Sequence, residues 1–538
     1  MGRAGRSQQE NGTLKTGRGK NLRSPDMSPD VRAFVGDSIP PQPAKPKGPA
    51  RRKKTPDVVA GPSVAVDSSV AVDSSVVVAA DQGVDATAHG GDAMTATKPH
   101  EPTRTTRREP PEPPAPPEPA PPPKPPRRRK RAVETPEPAS PPTAHVLIIG
   151  GGGTGGALAH DLTLRGLRVT LVERGEIISG TTGRHQGLLH SGARYATTDR
   201  AAAIECTTEN KILRRIAPGS FEENDGLFVA LTDEDADFAT GFLEACWQCA
   251  VPTKRLEREA VLRMEPGLNP DLRFAVQVPD ATMDAMRVPL RFFATARRNG
   301  ADIRPFTEVI AVTTAGQIVT GVKVRDHAAG RDYEIGADLV INAAGPWAGR
   351  VAALAGVQVA VATSAGAMVA VRGRHCNMVV SRLHASGDGD VVVPQRGLTV
   401  VGTSSWPTSD PDDPTIPPGQ IETILNEGAA LLPVLATAEI RAAWSAPRPL
   451  VGATKRARRA DRTAARPGRA LIPELRFFDH AADTTPMDGF VTIAAGTATT
   501  LRAMAEATAD VVCAKLGVSE PCRTGDTVLL PHTAWYVA

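Results

Sequence analysis

Cysteine and aromatic residues are scarce in this sequence. Its 538 residues include six cysteines, and Phe, Trp and Tyr together make up 4%. The cysteines have no regular spacing, which excludes the disulfide framework of small secreted domains and favours a reducing, cytoplasmic setting. Cys246 and Cys249 form one CxxC pair, but no second pair completes a zinc site, so we predict no metal.

Long apolar runs are also missing. The first residues are polar and do not form the apolar segment of a signal peptide. The segment 351–371 is uncharged, but it is rich in Ala and Gly and is interrupted by Gln358, Thr363 and Ser364. We therefore interpret it as buried helix and strand rather than as a membrane span.

Proline is concentrated in one part of the chain. Between positions 101 and 142 about two residues in five are Pro, which favours extended polyproline over a packed core. Residues 1–143 contain 23 Lys and Arg against 16 Asp and Glu, whereas the remainder contains 40 against 43. We predict a disordered, basic tail over 1–143, and we favour a solvated linker over a nucleic-acid-binding or lipid-binding role.

A glycine cluster follows the first strongly apolar segment. Residues 145–149 are the continuous apolar run of a buried parallel strand, and Gly150, Gly152 and Gly155 then satisfy the spacing GxGxxG. A helical pattern and a second strand lead to Glu173, about twenty residues further on. Glycines at this turn let a pyrophosphate approach the helix N-terminus, and the acidic residue accepts hydrogen bonds from a ribose. The sequence therefore predicts a dinucleotide-binding βαβ unit.

The segment after this unit favours FAD over NAD. A nicotinamide domain would continue with regular βα repeats, but residues 179–195 form a long stretch rich in Gly, Ser and Thr, with two cations. Such a segment supplies many backbone donors along an extended cofactor.

These residues carry a resemblance to a known family. The run Gly187–Tyr195, with the sequence GLLHSGARY, resembles FAD-dependent glycerol-3-phosphate dehydrogenases, most closely the catalytic subunit of the anaerobic bacterial enzyme. Further matching runs, in the family's order, are Leu171–Arg174, Gly226–Phe228, Val278–Asp280, Asn342–Trp347, Gly402–Ser404, Arg448–Leu450 and Asp488–Phe490. No run in this sequence matches the family's C-terminal iron–sulfur region, so we expect no iron–sulfur centre in it.

The resemblance implies an α/β fold, with a glutathione-reductase-like FAD-binding Rossmann domain and a β-sheet substrate cap domain. The oxidoreductase is expected over 144–525, with an FAD part over about 144–205, 286–361 and 481–520, a cap over about 206–285 and 362–480, and a C-terminal tail over 526–538.

The resemblance also implies the reaction and its residues. It predicts oxidation of sn-glycerol 3-phosphate to dihydroxyacetone phosphate by hydride transfer to flavin. The electrons would pass to a quinone or to an electron-transfer partner, with the chain in the cytoplasm or peripheral to the inner face of the membrane. The predicted catalytic residues are His190, Tyr195 and Arg448, and the predicted substrate-binding residues are Arg194, Arg448 and Arg469. The predicted cofactor-binding residues are Gly150, Gly152, Gly155, Glu173, Arg174, Thr182, Gly183, Arg184, Gly187, Leu189, Val309, Ala344, Gly345, Gly496 and Thr497.

The sequence departs from the family pattern at three positions. Thr497 stands where the family has Lys, Leu501 stands where it has Tyr, and Ala365 replaces a second Lys in the cap. Because two cations are absent, two alternatives stay open. One is an FAD oxidoreductase that acts on another 2-hydroxy acid or an amine, and the other is an FAD-binding protein without dehydrogenase activity.

Overall fold

The computed structural model describes residues 144–385, 390–451, 476–494 and 496–537. The predicted tail over 1–143 and Arg469 lie outside these residues. Within the described residues, no helix combines the length and the apolar character needed to cross a membrane.

A six-stranded, mostly parallel sheet organises the first part of the fold. Its strands, in spatial order, are β20 (Arg476–Asp479), β21 (Phe490–Ala494), β13 (Leu339–Asn342), β1 (His145–Ile149), β2 (Arg168–Val172) and β9 (Asp302–Arg304). All neighbours pair in parallel except β20 and β21. Every residue of β1 is buried, as expected for a central parallel strand that is covered on both faces.

Helices cover one face of this sheet and a β-meander covers the other. The helices are α1 (Gly153–Leu164), α5 (Arg287–Arg298) and α8 (Leu501–Leu516), and they bury Val146 and Ile148 of β1. The meander consists of β10 (Thr307–Ala315), β11 (Ile318–Asp326) and β12 (Arg331–Gly336), and together with α6 (Ala348–Leu354) it buries Leu147 and Ile149. The alternation of side chains along β1 therefore supplies two separate cores.

A second, larger sheet forms the cap. Its strands, in spatial order, are β18 (Trp406–Thr408), β14 (Val361–Arg372), β17 (Leu398–Gly402), β16 (Val391–Gln395), β15 (Val379–Arg382), β5 (Gly226–Ala230), β7 (Phe274–Val278) and β6 (Lys254–Glu257), and β19 (Ile440–Val451) also pairs with β14. Its helices are α3 (Asp233–Gln248), α4 (Arg258–Met264) and α7 (Gln420–Leu431). Along β5, Phe228 packs with Phe242 of α3, whereas Leu227 packs in a core with Val261 of α4 and Ile424 of α7.

The chain forms a small sheet and one helix where it passes from one large sheet to the other. The small sheet contains β3 (Leu188–Leu189), β8 (Ala281–Met283) and β4 (Phe221–Glu222). Helix α2 (Arg200–Ile216) is preceded by Asp199, whose side chain accepts a hydrogen bond from Ala202 N and so caps the helix.

The predicted α/β class with two sheets is confirmed, but the predicted boundaries differ from the structure in three places. Position 206, the expected start of the cap, falls inside α2, whose Leu213 packs in the same core as β1. Strand β20 falls within the range expected for the cap, yet it pairs with β21 in the six-stranded sheet. Within the expected C-terminal tail over 526–538, Leu529 is buried in that core and Trp535 packs under Arg297 of α5.

Candidate active site

A cleft of about 1270 Å³ lies at the carboxyl ends of β1, β2 and β13. Ligands of open α/β sheets bind at this edge, where the strands end and the helices begin. The cap contributes Arg448 and Thr403 to the lining, and the segment before α8 contributes Gly496 and Thr497. Residues from distant parts of the sequence therefore share one cavity.

The turn after β1 has a backbone geometry that only glycine tolerates. Gly150 has φ of +117°, and a Cβ there would lie 2.6 Å from Ala343 O. A Cβ on Gly155 would lie 2.0 Å from Gly150 O. Gly152 caps α1 without a side chain, so the N-cap residue itself places nothing between the N-terminus of the helix and the cleft.

Glu173 sits directly after β2 and lines the cleft. Its Oε2 accepts a hydrogen bond from Gly151 N at 2.7 Å, and its Oε1 accepts one from Gly175 N at 2.9 Å. Thr182 accepts a hydrogen bond from Gly153 N at 3.0 Å. Glu173 and Thr182 therefore each tie the glycine turn to a segment that follows β2.

Most of the predicted cofactor residues line the cleft. These are Gly150, Gly152, Glu173, Arg174, Thr182, Arg184, Val309, Ala344, Gly345, Gly496 and Thr497. Four others do not: Gly155, Gly183, Gly187 and Leu189 are absent from the lining. Gly183 donates its N–H to Ile178 O and Leu189 is fully buried in the core, so these residues shape the wall rather than face the cavity.

A cluster of charged residues crosses the mouth of the cleft, and no motif in the sequence points to it. Asp412 is ion-paired with Arg174 at 2.5 Å and with Arg350 at 2.6 Å, and it accepts a hydrogen bond from Trp347 Nε1 at 2.9 Å. Arg350 also pairs with Asp410 at 2.7 Å. We call these five residues the Asp412 clasp. It joins the loop after β18 to residues that follow β2 and β13.

His190 and Tyr195 lie side by side on the cleft wall, with ring centroids 5.3 Å apart. The backbone N–H of His190 donates to Thr499 Oγ1 at 3.1 Å, and its carbonyl accepts from Asn210 Nδ2 at 3.1 Å. Burial, Arg194 and His185 lower the pKa of His190 to about 3. The imidazole is therefore neutral at physiological pH and has a nitrogen lone pair for a proton.

Two arginines of the predicted substrate set line the same cleft. Arg194 Nη2 donates to Asp390 Oδ1 at 2.7 Å, and Asp390 is buried. Arg448 of β19 donates from Nη2 to the carbonyls of Ser404 at 2.9 Å and Ala365 at 3.3 Å. These contacts hold both guanidinium groups at the cleft wall. Arg469, the third predicted cation, lies outside the described residues.

Behind the wall, a buried carboxylate supports the segment that carries His190 and Arg194. Asp280 Oδ1 accepts a hydrogen bond from Ser191 N at 2.6 Å, and a Cβ on Gly226 would meet its side chain at 2.8 Å. Burial raises the pKa of Asp280, against the opposing effects of Ser191, Arg194 and Arg214. Asp280 stands in one of the sequence runs that carry the resemblance, but its supporting role becomes visible only in the fold.

The sequence is similar to a known protein family and to several named proteins. A family model described as FAD dependent oxidoreductase matches residues 145–473. The chain is 38% identical over 389 residues to an anaerobic glycerol-3-phosphate dehydrogenase subunit of Escherichia coli strain K12, covering 72% of this chain and 70% of that protein. It is 39% identical over 394 residues to an anaerobic glycerol-3-phosphate dehydrogenase subunit of Haloferax volcanii, covering 71% and 66%.

A solved structure has the same fold. The glycerol-3-phosphate dehydrogenase from Bacillus halodurans complexed with FAD superposes with a TM-score of 0.55 at 24% identity, covering 72% of this chain and 67% of that one.

Proposed function

Because the chain belongs to the FAD-dependent oxidoreductase family and, within it, to the relatives of the anaerobic glycerol-3-phosphate dehydrogenases, we propose that it oxidises sn-glycerol 3-phosphate to dihydroxyacetone phosphate. One observation carries the proposal. His190, Arg194 and Tyr195, which stand in the family-specific run, line the same cleft as the nucleotide turn. The cleft thus joins a cofactor end to a substrate end.

The residues of the cleft fit FAD. The glycine turn has no side chains that would keep a pyrophosphate from its backbone, and the N-terminus of α1 faces the cavity. Glu173 stands at the end of β2, where a ribose hydroxyl of FAD needs an acceptor. Bound FAD supplies a two-electron acceptor for the hydride that leaves C2 of the alcohol. The protein then has to hold the phosphate, receive the hydroxyl proton and keep the substrate oriented.

Arg194 and Arg448 are the groups that we assign to the phosphate, because guanidinium matches phosphate oxygens in charge and geometry. The proton of the C2 hydroxyl needs a base, and we assign this role to His190 or Tyr195, which lie side by side on the cleft wall. His190 is neutral at physiological pH and has a lone pair for the proton, although its lowered pKa makes it a weaker base than free imidazole.

The pH dependence tests this assignment. We expect kcat at saturating glycerol 3-phosphate to show no step near the ordinary imidazole pKa of about 6.5. The measured quantity is kcat, because kcat/KM also reports the second ionisation of the free phosphate, at a pKa of about 6. A base works in its deprotonated form, so a pKa of about 3 keeps His190 competent down to about that pH. The measurement is a pH profile of the wild type and of His190→Gln. A wild-type step near 6.5 that disappears in His190→Gln would contradict the expected neutral state.

The Asp412 clasp gives a second test, on cofactor retention. We expect Asp412→Asn to speed FAD dissociation about three- to tenfold, because it removes two exposed ion pairs that are worth up to about 1 kcal/mol each. The rate is measured in a stopped-flow instrument as the rise in FAD fluorescence when FAD leaves the protein. Asp413→Asn is the matched control, since Asp413 is a neighbouring carboxylate that accepts a hydrogen bond from Thr415 N. Equal dissociation rates in the two variants would refute a retaining role.

We further propose that electrons leave the reduced protein to a quinone or to a partner protein. The E. coli relative is named as one subunit of its enzyme, which supports a multi-subunit arrangement. All six cysteines lie in the described residues and are free thiols, which supports a reducing, cytoplasmic compartment. We propose peripheral attachment at the inner face of the membrane, because that position suits the reduction of a quinone.

A dye-linked assay tests the proposed reaction. The purified protein is offered glycerol 3-phosphate, glycerol, lactate and glycine with an artificial electron acceptor, and dihydroxyacetone phosphate is measured enzymatically. We expect turnover with glycerol 3-phosphate and none with the other three. Turnover with lactate or glycine instead would favour the alternative of another 2-hydroxy acid or an amine, which Thr497 in place of Lys motivates.

A further inference from the structure

His185 lies on the cleft wall between Arg184 and Gln186, in the segment that leads into β3. Gly187 N donates a hydrogen bond to His185 Nδ1 at 2.9 Å. A backbone N–H can only donate, so Nδ1 must carry its lone pair and, in a neutral ring, the proton must sit on Nε2.

The backbone at Gly187 cannot turn away from this arrangement. Gly187 has φ of +83°, and a Cβ there would lie 1.9 Å from Gln395 Nε2 and 2.5 Å from Met283 O. The peptide that carries its N–H is held at the other side, because Gln186 O accepts a hydrogen bond from Gln395 Nε2 at 3.2 Å. Burial lowers the pKa of His185 to about 4, against a small opposing effect of Asp284, so the ring is neutral at physiological pH. The structure thus selects the tautomer with hydrogen on Nε2.

This Nε2–H has no acceptor among the residues that the structure describes. The atom is buried, and among the described residues it has no hydrogen-bond partner. A buried N–H group without an acceptor destabilises the folded protein, and a ligand that supplies the acceptor removes this cost. His185 differs in this from His160 of α1, whose ring nitrogens are also buried without partners in the part of the chain that the structure describes, but which does not line the cleft.

We propose that the Nε2–H of His185 donates a hydrogen bond to an acceptor atom of bound FAD, which makes His185 a cofactor-binding residue. FAD carries acceptors along its whole length, on the pyrophosphate, the hydroxyls and the ring carbonyls. The inference rests on the FAD-binding character of the cleft and is independent of the substrate.

Two substitutions test the two ring nitrogens of His185 separately. His185→Gln places an amide nitrogen near the position of Nε2 and so keeps a donor for FAD, but it loses the acceptor at Nδ1. His185→Asn does the reverse, since its Oδ1 stands near Nδ1 and accepts from Gly187 N, while nothing reaches the position of Nε2. The pair therefore tests which ring nitrogen matters.

The experiment is a titration of each apo-protein with FAD in the absence of any substrate, followed by flavin fluorescence. We expect the Kd of His185→Asn to rise about tenfold and that of His185→Gln to stay within about threefold of the wild type, which matches the loss of one buried hydrogen bond. His160→Phe is the control and should leave the Kd unchanged. Thermal unfolding of each apo-protein verifies that the variants are folded.

A wild-type Kd in His185→Asn, or an equal loss in both variants, would overturn the proposal, because either outcome would show that Nε2 does not contact FAD. Since no substrate is present, these outcomes are distinct from a failure of the proposed reaction.

Discussion

Replacing Glu173 by alanine is expected to raise the Kd for FAD about 100-fold while the protein stays folded. The carboxylate accepts hydrogen bonds from Gly151 N and Gly175 N, and it faces the cleft at the end of β2. Hydrogen bonds to charged groups contribute about 1.5–3 kcal/mol each, and about 2.7 kcal/mol corresponds to a factor of 100 in Kd. Binding is expected to weaken for two reasons, because the variant loses the proposed acceptor for the ribose and the support for the glycine turn.

The measurement is FAD retention through dialysis, followed by titration of the apo-protein. Glu176→Ala is the matched control, because Glu176 is an exposed neighbour whose Oε1 accepts only from the adjacent Ile177 N among the contacts that the structure gives it. A Glu173→Ala protein that keeps stoichiometric FAD and an unchanged Kd would remove Glu173 from the cofactor site.

Replacing Thr497 by lysine is expected to lower the KM for glycerol 3-phosphate about 10- to 100-fold. Thr497 lines the cleft with Arg194 and Arg448, so an ammonium there adds a charge-assisted contact to the phosphate worth about 1.5–3 kcal/mol. It lies just before α8, where a cation opposes the helix dipole, so we expect a stability loss of about 0.3–1 kcal/mol.

Thr497→Met supplies the control, since it has similar length and no charge. The KM should fall in Thr497→Lys alone, with glycerol remaining inactive in both variants. An unchanged KM in Thr497→Lys would indicate that the phosphate binds elsewhere in the cleft or that the substrate carries no phosphate.

The parts of the site that could be predicted from the sequence are those that depend on local chain geometry. The glycine turn, the helix that follows it and Glu173 all lie within about thirty residues, and their contacts follow from the βαβ unit itself. The family-specific run placed His190, Arg194 and Tyr195, which the structure brings to the cleft wall.

The parts that could not be predicted depend on contacts between distant segments. Arg174 and Asp412 are separated by 238 positions, and neither has a local pattern that points to the other. The donor on His185 depends on the backbone angle of Gly187 and on Gln395 behind it. Leu529 and Trp535 likewise pack on segments that stand far earlier in the chain, and Trp535 is separated from Arg297 by 238 positions.

Anaerobic titration of the purified protein with glycerol 3-phosphate, followed by flavin absorbance, is the most direct test of the central claim. The proposed function predicts loss of the oxidised flavin bands at millimolar or lower substrate, with dihydroxyacetone phosphate formed in equal amount to reduced FAD. FAD that is bound to the protein and stays oxidised at saturating glycerol 3-phosphate would contradict it.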